Sequence, residues 1–433
     1  VDTYRPRLAD GRLAELFEDL PAVSVVGPRA CGKTTTASRL VSNVVRLDQE
    51  SVAQAFREDP DVALRAVGEP VVLDEWQFAP QVLGAVKRAV DTGAGTGRFL
   101  LTGSVAARFL PNQWPGTGRV TELAMAPMTV RETERAVTGV SFVDRLLLAD
   151  PGALPPAGSF HEAPDIADYL ELALRSGFPE AVASPARSRD AWLSSYVEHV
   201  VNRDSQLSSS LTTGSTSLTG PTVLPGRGVD PSKLGRYLEA LSLHSSCVVS
   251  DQTLLELAGI KRATAATYEN LLESLYLVRK VPAWATSQVK RLVRTPKRLV
   301  ADAGLMAAVL HADAATILLD PELKGRVIET FVAAQLAAEL PFSQSRARLY
   351  HLRDANGRRE VDLLLEYPGG RVAAIEVKAT STVTSADAKH LCWLRDELGD
   401  RFVAGVVLYT GAITREIDAR VFAAPISTCW ATV

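Results

Sequence analysis

The chain has 433 residues, 46% hydrophobic and 22% charged, a globular composition that excludes a disordered protein and suffices for two or three cores. Its net charge of −3 excludes a global basic field, so any nucleic-acid contact must come from a local patch. No apolar run reaches the ~20 residues that span a bilayer, and the scattered cysteines and histidines offer no zinc spacing.

The opening residues lack a targeting pattern. A cytoplasmic protein with free thiols and no membrane partner is therefore expected. The first strong signal is VSVVGPRACGKTTT at residues 23–36. A β-branched run enters Gly27-xxxx-Gly32-Lys33-Thr34 and continues as a helix-compatible stretch, which is the setting a phosphate-binding loop needs. Along Gly27, Pro28, Arg29, Ala30, Cys31 and Gly32, the glycines let backbone N–H groups wrap phosphate oxygens. The helix start at Lys33, Thr34 and Thr35 adds partial positive charge. Lys33 is expected at the β- and γ-phosphates of ATP, and Thr34 on Mg²⁺.

PVVLDE at 70–75 reads as a buried parallel strand ending in two acids. Asp74 suits a Mg²⁺-water contact, and Glu75 suits polarising an attacking water. RFLLTGS at 98–104 is a third apolar strand. Its tips, Thr102 and Ser104, either sense the γ-phosphate or cap a turn. Arg119, flanked by Gly116 and Gly118, is either a finger on the γ-phosphate or a surface arginine. As a finger it would act in cis or from a neighbour in a homo-oligomer.

Residues 136–204 carry helical spacing and read as a small lid. In WLSSYVEHVVNRD the apolar positions 192, 193, 196, 197, 200 and 201 form an amphipathic stripe, read as core. Residues 205–228, rich in Ser, Thr, Gly and Pro, read as a linker. DPSKLGRYLEALSLHSS reads as a capped helix. Two further helices around Gly259 give a helix-turn-helix pattern. From Ser274 to Ala301 there are seven basic residues and no acid. A wing bearing Arg279, Lys280, Lys290, Arg291, Arg294, Lys297 and Arg298 would favour the backbone of double-stranded DNA through residues 279–298. The same run is compatible with a solvated face on a protein-docking module.

EVDLLLEYPGGRVAAIEVKA at 360–379 reads as strand, turn, strand. Period-2 alternation puts Glu376 and Lys378 on one face, with Asp362 across from them. An upstream amphipathic helix carries Glu329. The set Glu329, Asp362, Glu376, Lys378 resembles the core of the PD-(D/E)xK nuclease superfamily. In that reading Asp362 and Glu376 ligate Mg²⁺, Lys378 polarises the attacking water, and Glu329 adds or orients a ligand. Such a fold can also keep the geometry without cleaving.

Several stretches together, among them YRPRLADGRLAELFEDLPAVSVVGPRACGKTTTA, DEWQFAPQVLGAVKRAVD, SGFPE and PKRLVADAGL, resemble an uncharacterised family of bacterial ATP-binding proteins. There an AAA-type ATPase module is joined to a C-terminal domain of unknown function. The resemblance implies an ATPase fold for the front half and no established role. The expected class is α/β, with a P-loop AAA-type core (1–135), helical lid (136–204), linker (205–228), winged helix (229–305) and restriction-endonuclease-like domain (306–433). The expected function is ATP hydrolysis coupled to DNA binding or cleavage. The alternative is an ATP-dependent switch whose C-terminal part only docks a partner.

Overall fold

The three apolar runs of the front half become the buried centre of one sheet. The computed structural model describes residues 4–106, 116–154, 164–204, 229–285, 295–354 and 357–431. Strands β1 (Ala22–Val26), β2 (Val44–Arg46), β3 (Val71–Asp74), β4 (Phe99–Gly103) and β5 (Thr121–Ala124) pair in the order β2-β3-β4-β1-β5. Every pairing is parallel. The central strands β1, β3 and β4 are buried along their whole length, whereas the edge strands β2 and β5 are not. That is why the central three read as continuous apolar runs.

Alternate residues face two helical layers. Val23, Val25, Val72 and Leu100 pack against helices Ala9–Asp19 and Lys33–Leu40. Ala22, Val71, Leu73, Phe99 and Leu101 pack against helices Glu50–Glu58, Pro60–Val67 and Val82–Thr92. With all five strands parallel, the loops that follow β1, β3 and β4 converge at one edge, where ligands bind in open α/β sheets.

Beyond residue 135 most elements share one core, while the other face of the C-terminal sheet packs with helix Lys389–Leu398 in a second. Phe142, Tyr169 and Leu193 of the expected lid pack in one cluster with Leu234, Tyr268, Phe331 and Trp430. Helix Pro231–Leu243 begins as expected, with Asp230 accepting from Lys233 N and Pro231 in the first turn. Helices Asp251–Ala258 and Arg262–Ser274 flank Gly259, whose left-handed φ of 63° closes the turn. A two-stranded antiparallel ribbon follows, β6 (Val278–Val281) with β7 (Lys297–Val300). The linker expected at 205–228 and three of the seven basic residues, Lys290, Arg291 and Arg294, lie outside the described residues.

The C-terminal sheet contains β8 (Arg348–Arg353), β9 (Glu360–Glu366), β10 (Val372–Lys378), β11 (Phe402–Tyr409), β12 (Arg415–Asp418) and β13 (Val421–Pro425). They run in the order β12-β13-β11-β10-β9-β8. The hairpin expected from sequence is present: β9 and β10 are antiparallel with Leu363 opposite Ile375, joined through Gly369 and Gly370 at positive φ. Helix Pro321–Glu339 packs on β10, and its far end reaches the front module. There Gln335 Oε1 accepts from Val130 N at 2.8 Å, and Arg131 pairs with Glu339 at 3.3 Å in a buried site. Among the described residues no helix is long and apolar enough to cross a membrane.

Gly177 shows how tightly these parts meet. Its carbonyl accepts from Met128 N and its N–H donates to buried Asp302. An added Cβ would lie 2.2 Å from Met128 O. Gly177→Ala is expected to lower stability by about 1–3 kcal/mol, seen as a lower urea midpoint at unchanged slope. An unchanged midpoint would contradict this packing.

Candidate functional site

The loop after β1 is shaped by steric necessity. A Cβ at Gly27 would lie 2.1 Å from Met125 O, so only glycine permits that approach. Gly32 caps helix Lys33–Leu40 with φ 99°, and Ala30 also adopts a left-handed φ of 57°. Lys33 is 3% exposed. Its Nζ donates to the carbonyls of Gly27 at 3.1 Å and Pro28 at 2.8 Å, so the ammonium is held against its own loop. Thr35 is exposed on the first helical turn.

Asp74 ends β3 in a buried position. Its Oδ1 accepts from Thr34 Oγ1 at 2.6 Å and from Thr102 Oγ1, which closes the end of β4. The structure thus brings Thr34, Asp74 and Thr102 together. Glu75 sits at a left-handed φ of 55°, with its N–H donating to Thr102 Oγ1 at 3.2 Å. Its carboxylate accepts from Ser104 Oγ at 3.2 Å and from Gln77 Nε2. Gln77 has no sequence signal of its own; it reaches Glu75 because a short turn at Trp76–Phe78 folds it back.

The lid stripe, read as core, turns part of itself to this site. A cavity of about 560 Å³ is lined by Arg29, Ala30 and Glu75 on one side and by Trp192, Ser195, Tyr196 and His199 on the other. Trp192 and Tyr196 stack with centroids 5.3 Å apart, and the Tyr196 hydroxyl donates to Arg29 O at 3.2 Å.

Arg7, another residue without a sequence signal, lies beneath the loop. Its guanidinium donates to Cys31 O at 2.6 Å, Ala126 O at 2.8 Å and Glu132 Oε1 at 2.8 Å. Burial works against its charge, and the Glu132 carboxylate more than offsets this, so its pKa lies above the ordinary value.

Arg119 is placed elsewhere. It precedes β5, which runs parallel to β1, and therefore stands at the sheet edge opposite the loop. There it pairs with Asp91 at 2.8 Å. A finger in cis is ruled out by this strand direction.

Glu329, Asp362, Glu376 and Lys378 lie together, with an addition. Asp362 on β9 accepts from Val377 N at 2.9 Å. Glu376 pairs with Lys378 at 3.0 Å. Lys297, on β7, enters the middle: its Nζ lies 2.8 Å from Glu329 Oε1 and 3.6 Å from Asp362 Oδ1. Burial and neighbouring Asp362 raise Glu329 to about 7, against which Lys297 pulls. Burial and Asp362 likewise push Glu376 well up. Asp362 itself is held below its ordinary value: burial raises it, and Lys297 and Lys378 prevail.

Asp362 and Glu376, the two carboxylates expected to ligate Mg²⁺, lie side by side. They share a side-chain hydrogen bond, Val377 N–H donates to Asp362 Oδ2, and the ammonium groups of Lys297 and Lys378 stand close by as countercharge. Among the described residues no three His, Cys, Asp or Glu side chains are placed to hold a metal.

The basic wing is altered for the same reason. Lys297 is inside this cluster, Arg298 is buried against Glu269 and Asp251, and Lys280 pairs with Glu269 and Glu273. Arg279 donates to Ala337 O at 3.4 Å. The described part of 279–298 is therefore largely neutralised, because acids from helices Asp251–Ala258, Arg262–Ser274 and Pro321–Glu339 fold onto it.

Family models place the front module in a class. Residues 19–134 match an AAA domain, and residues 224–316 and 324–429 match two domains of unknown function, DUF8612 and DUF4143. The chain thus joins an AAA domain to a DUF4143 C-terminal domain. Its relatives include the uncharacterized proteins Rv2008c of Mycobacterium tuberculosis and Mb2031c of Mycobacterium bovis. Each is 28% identical over 382 residues, covering 87% of this chain and 74% of the relative. A distant likeness, TM-score 0.37 at 13% identity over 70% of this chain and 94% of the other, links it to a Walker-type ATPase of Pyrococcus abyssi. It adds nothing to the assignment.

Removing Lys297 leaves buried carboxylates without their central cation. Lys297→Met is expected to cost about 3–5 kcal/mol, read from urea unfolding. A carboxyl raised on folding stabilises the chain below its ordinary value of 4.5, and that stabilisation is lost as pH rises to about 7. The urea midpoint of the wild type should therefore fall from pH 5 to pH 8, and Glu329→Gln should remove part of that fall. An identical fall in both proteins would contradict the burial of a protonated Glu329.

Proposed function

We propose that the chain binds and hydrolyses ATP on the loop at residues 27–34. The observation that carries this reading is the convergence of Thr34 and Thr102 on a single oxygen of buried Asp74, with Glu75 adjacent. Loop N–H groups and Lys33 take the phosphates. The hydroxyl of Thr34 and the carboxylate of Asp74, hard oxygen donors 2.6 Å apart, suit Mg²⁺. Bound there, the ion would neutralise charge on the β- and γ-phosphates. Glu75, oriented by Ser104 and Gln77, holds the attacking water and takes its proton.

In this reading the three helices and ribbon of 231–300 form a winged helix, and the six-stranded sheet is nuclease-like. Arg119 can act only on a neighbour, so the finger role requires a homo-oligomer. A second reading of the C-terminal half, as a docking unit switched by nucleotide, is favoured by Lys297, which supplies inside the acid cluster the charge a catalytic cation would bring.

The test is Mg²⁺-dependent ATP turnover with and without double-stranded DNA. Lys33→Ala should abolish turnover, and Glu75→Gln should lower it about a hundredfold. Glu376→Ala should leave turnover intact and the DNA uncut throughout. Turnover insensitive to Lys33→Ala would overturn the ATPase reading. DNA nicking that Glu376→Ala removes would overturn the docking reading.

A further inference from the structure

Arg7 lies outside the segment 19–134 that matches the AAA domain, yet it is among the most heavily engaged side chains near the loop. It is 6% exposed and directs three N–H groups at three acceptors, one in the loop and two in the chain leaving β5. One acceptor is the carbonyl of Cys31, the peptide immediately before Gly32.

A trans peptide is planar, with its C=O and the following N–H pointing in opposite directions. A guanidinium that holds the Cys31 carbonyl therefore aims the Gly32 N–H away from Arg7. This peptide most needs such a restraint. Gly32 has no Cβ and a φ of 99°, so a flip costs little intrinsically. A flipped peptide would turn a carbonyl oxygen toward the phosphates, replacing attraction with repulsion. The Tyr196 hydroxyl treats the Arg29 carbonyl in the same way.

Arg7 is itself fixed. Glu132 Oε1 accepts from Arg7 Nε and Leu8 N, while its Oε2 accepts from Thr129 N in the capping box of helix Val130–Thr133. The fork therefore has one orientation available. Lysine could supply the charge without three fixed directions.

We propose that Arg7 is a positioning residue for nucleotide phosphate, holding the Cys31–Gly32 peptide so that the Gly32 N–H faces the phosphate cradle. The inference rests on the ATP reading above. It predicts a loss of affinity shared by ATP and ADP, because a misdirected loop N–H is lost to both.

The experiment is equilibrium binding of fluorescent ATP and ADP analogues, with Mg²⁺, to the full chain. Wild type, Arg7→Met, Arg7→Lys and Lys33→Ala are compared, with unfolding curves recorded in the absence of nucleotide. Arg7→Met is expected to weaken both nucleotides about tenfold, and Arg7→Lys to recover part of that loss. A cooperatively folded Arg7→Met that binds like wild type would overturn the proposal. If Arg7→Met does not fold, Arg7→Lys decides: weaker binding of both nucleotides upholds the proposal and wild-type binding overturns it. Absence of binding by the wild type, or equal binding by Lys33→Ala, would instead strike the underlying ATP reading.

Discussion

A buried guanidinium–carboxylate pair, Arg7 with Glu132, lies where three parts of the front module meet. It joins the segment before the first helix, the phosphate-type loop and the chain leaving β5. A buried ion pair of this kind adds little net stability, because desolvation offsets most of the attraction. Its effect is directional. With the guanidinium in place, the Cys31 carbonyl of the loop has a fixed outward partner.

The same chain uses a buried cation a second time, with a different result. Lys297 enters the group of Glu329, Asp362 and Glu376 from the β6–β7 ribbon. The ribbon and the C-terminal sheet are thereby held together. Helix Pro321–Glu339 extends the connection, with Glu329 in the cluster and Glu339 against Arg131 of the front module. Glu132, the partner of Arg7, is the next residue after Arg131. One helix thus stands between the two charged centres.

What the sequence made legible was local. The loop at 27–34 could be read because glycine spacing and helix start lie within a few residues, and Asp74-Glu75 because both end one apolar strand. The β9–β10 hairpin followed from alternation and a glycine turn. What stayed hidden depends on chain direction and distant partners. Lys297 looked like part of a basic patch because its acids lie far along the chain, Glu329 and Asp362 among them. Arg119 is compatible in sequence with a finger or a surface arginine, and the parallel direction of β5 places it at the opposite edge. Arg7 and Tyr196 carry no motif; each matters through one backbone carbonyl that only the folded loop presents.

The central claim is that the loop at 27–34 takes nucleotide phosphate. It is tested most directly by amide hydrogen exchange of the full chain with and without saturating Mg²⁺ and ATP. Slower exchange in peptides covering residues 27–40 is the predicted result. Exchange at 27–40 that ignores the nucleotide would contradict the account.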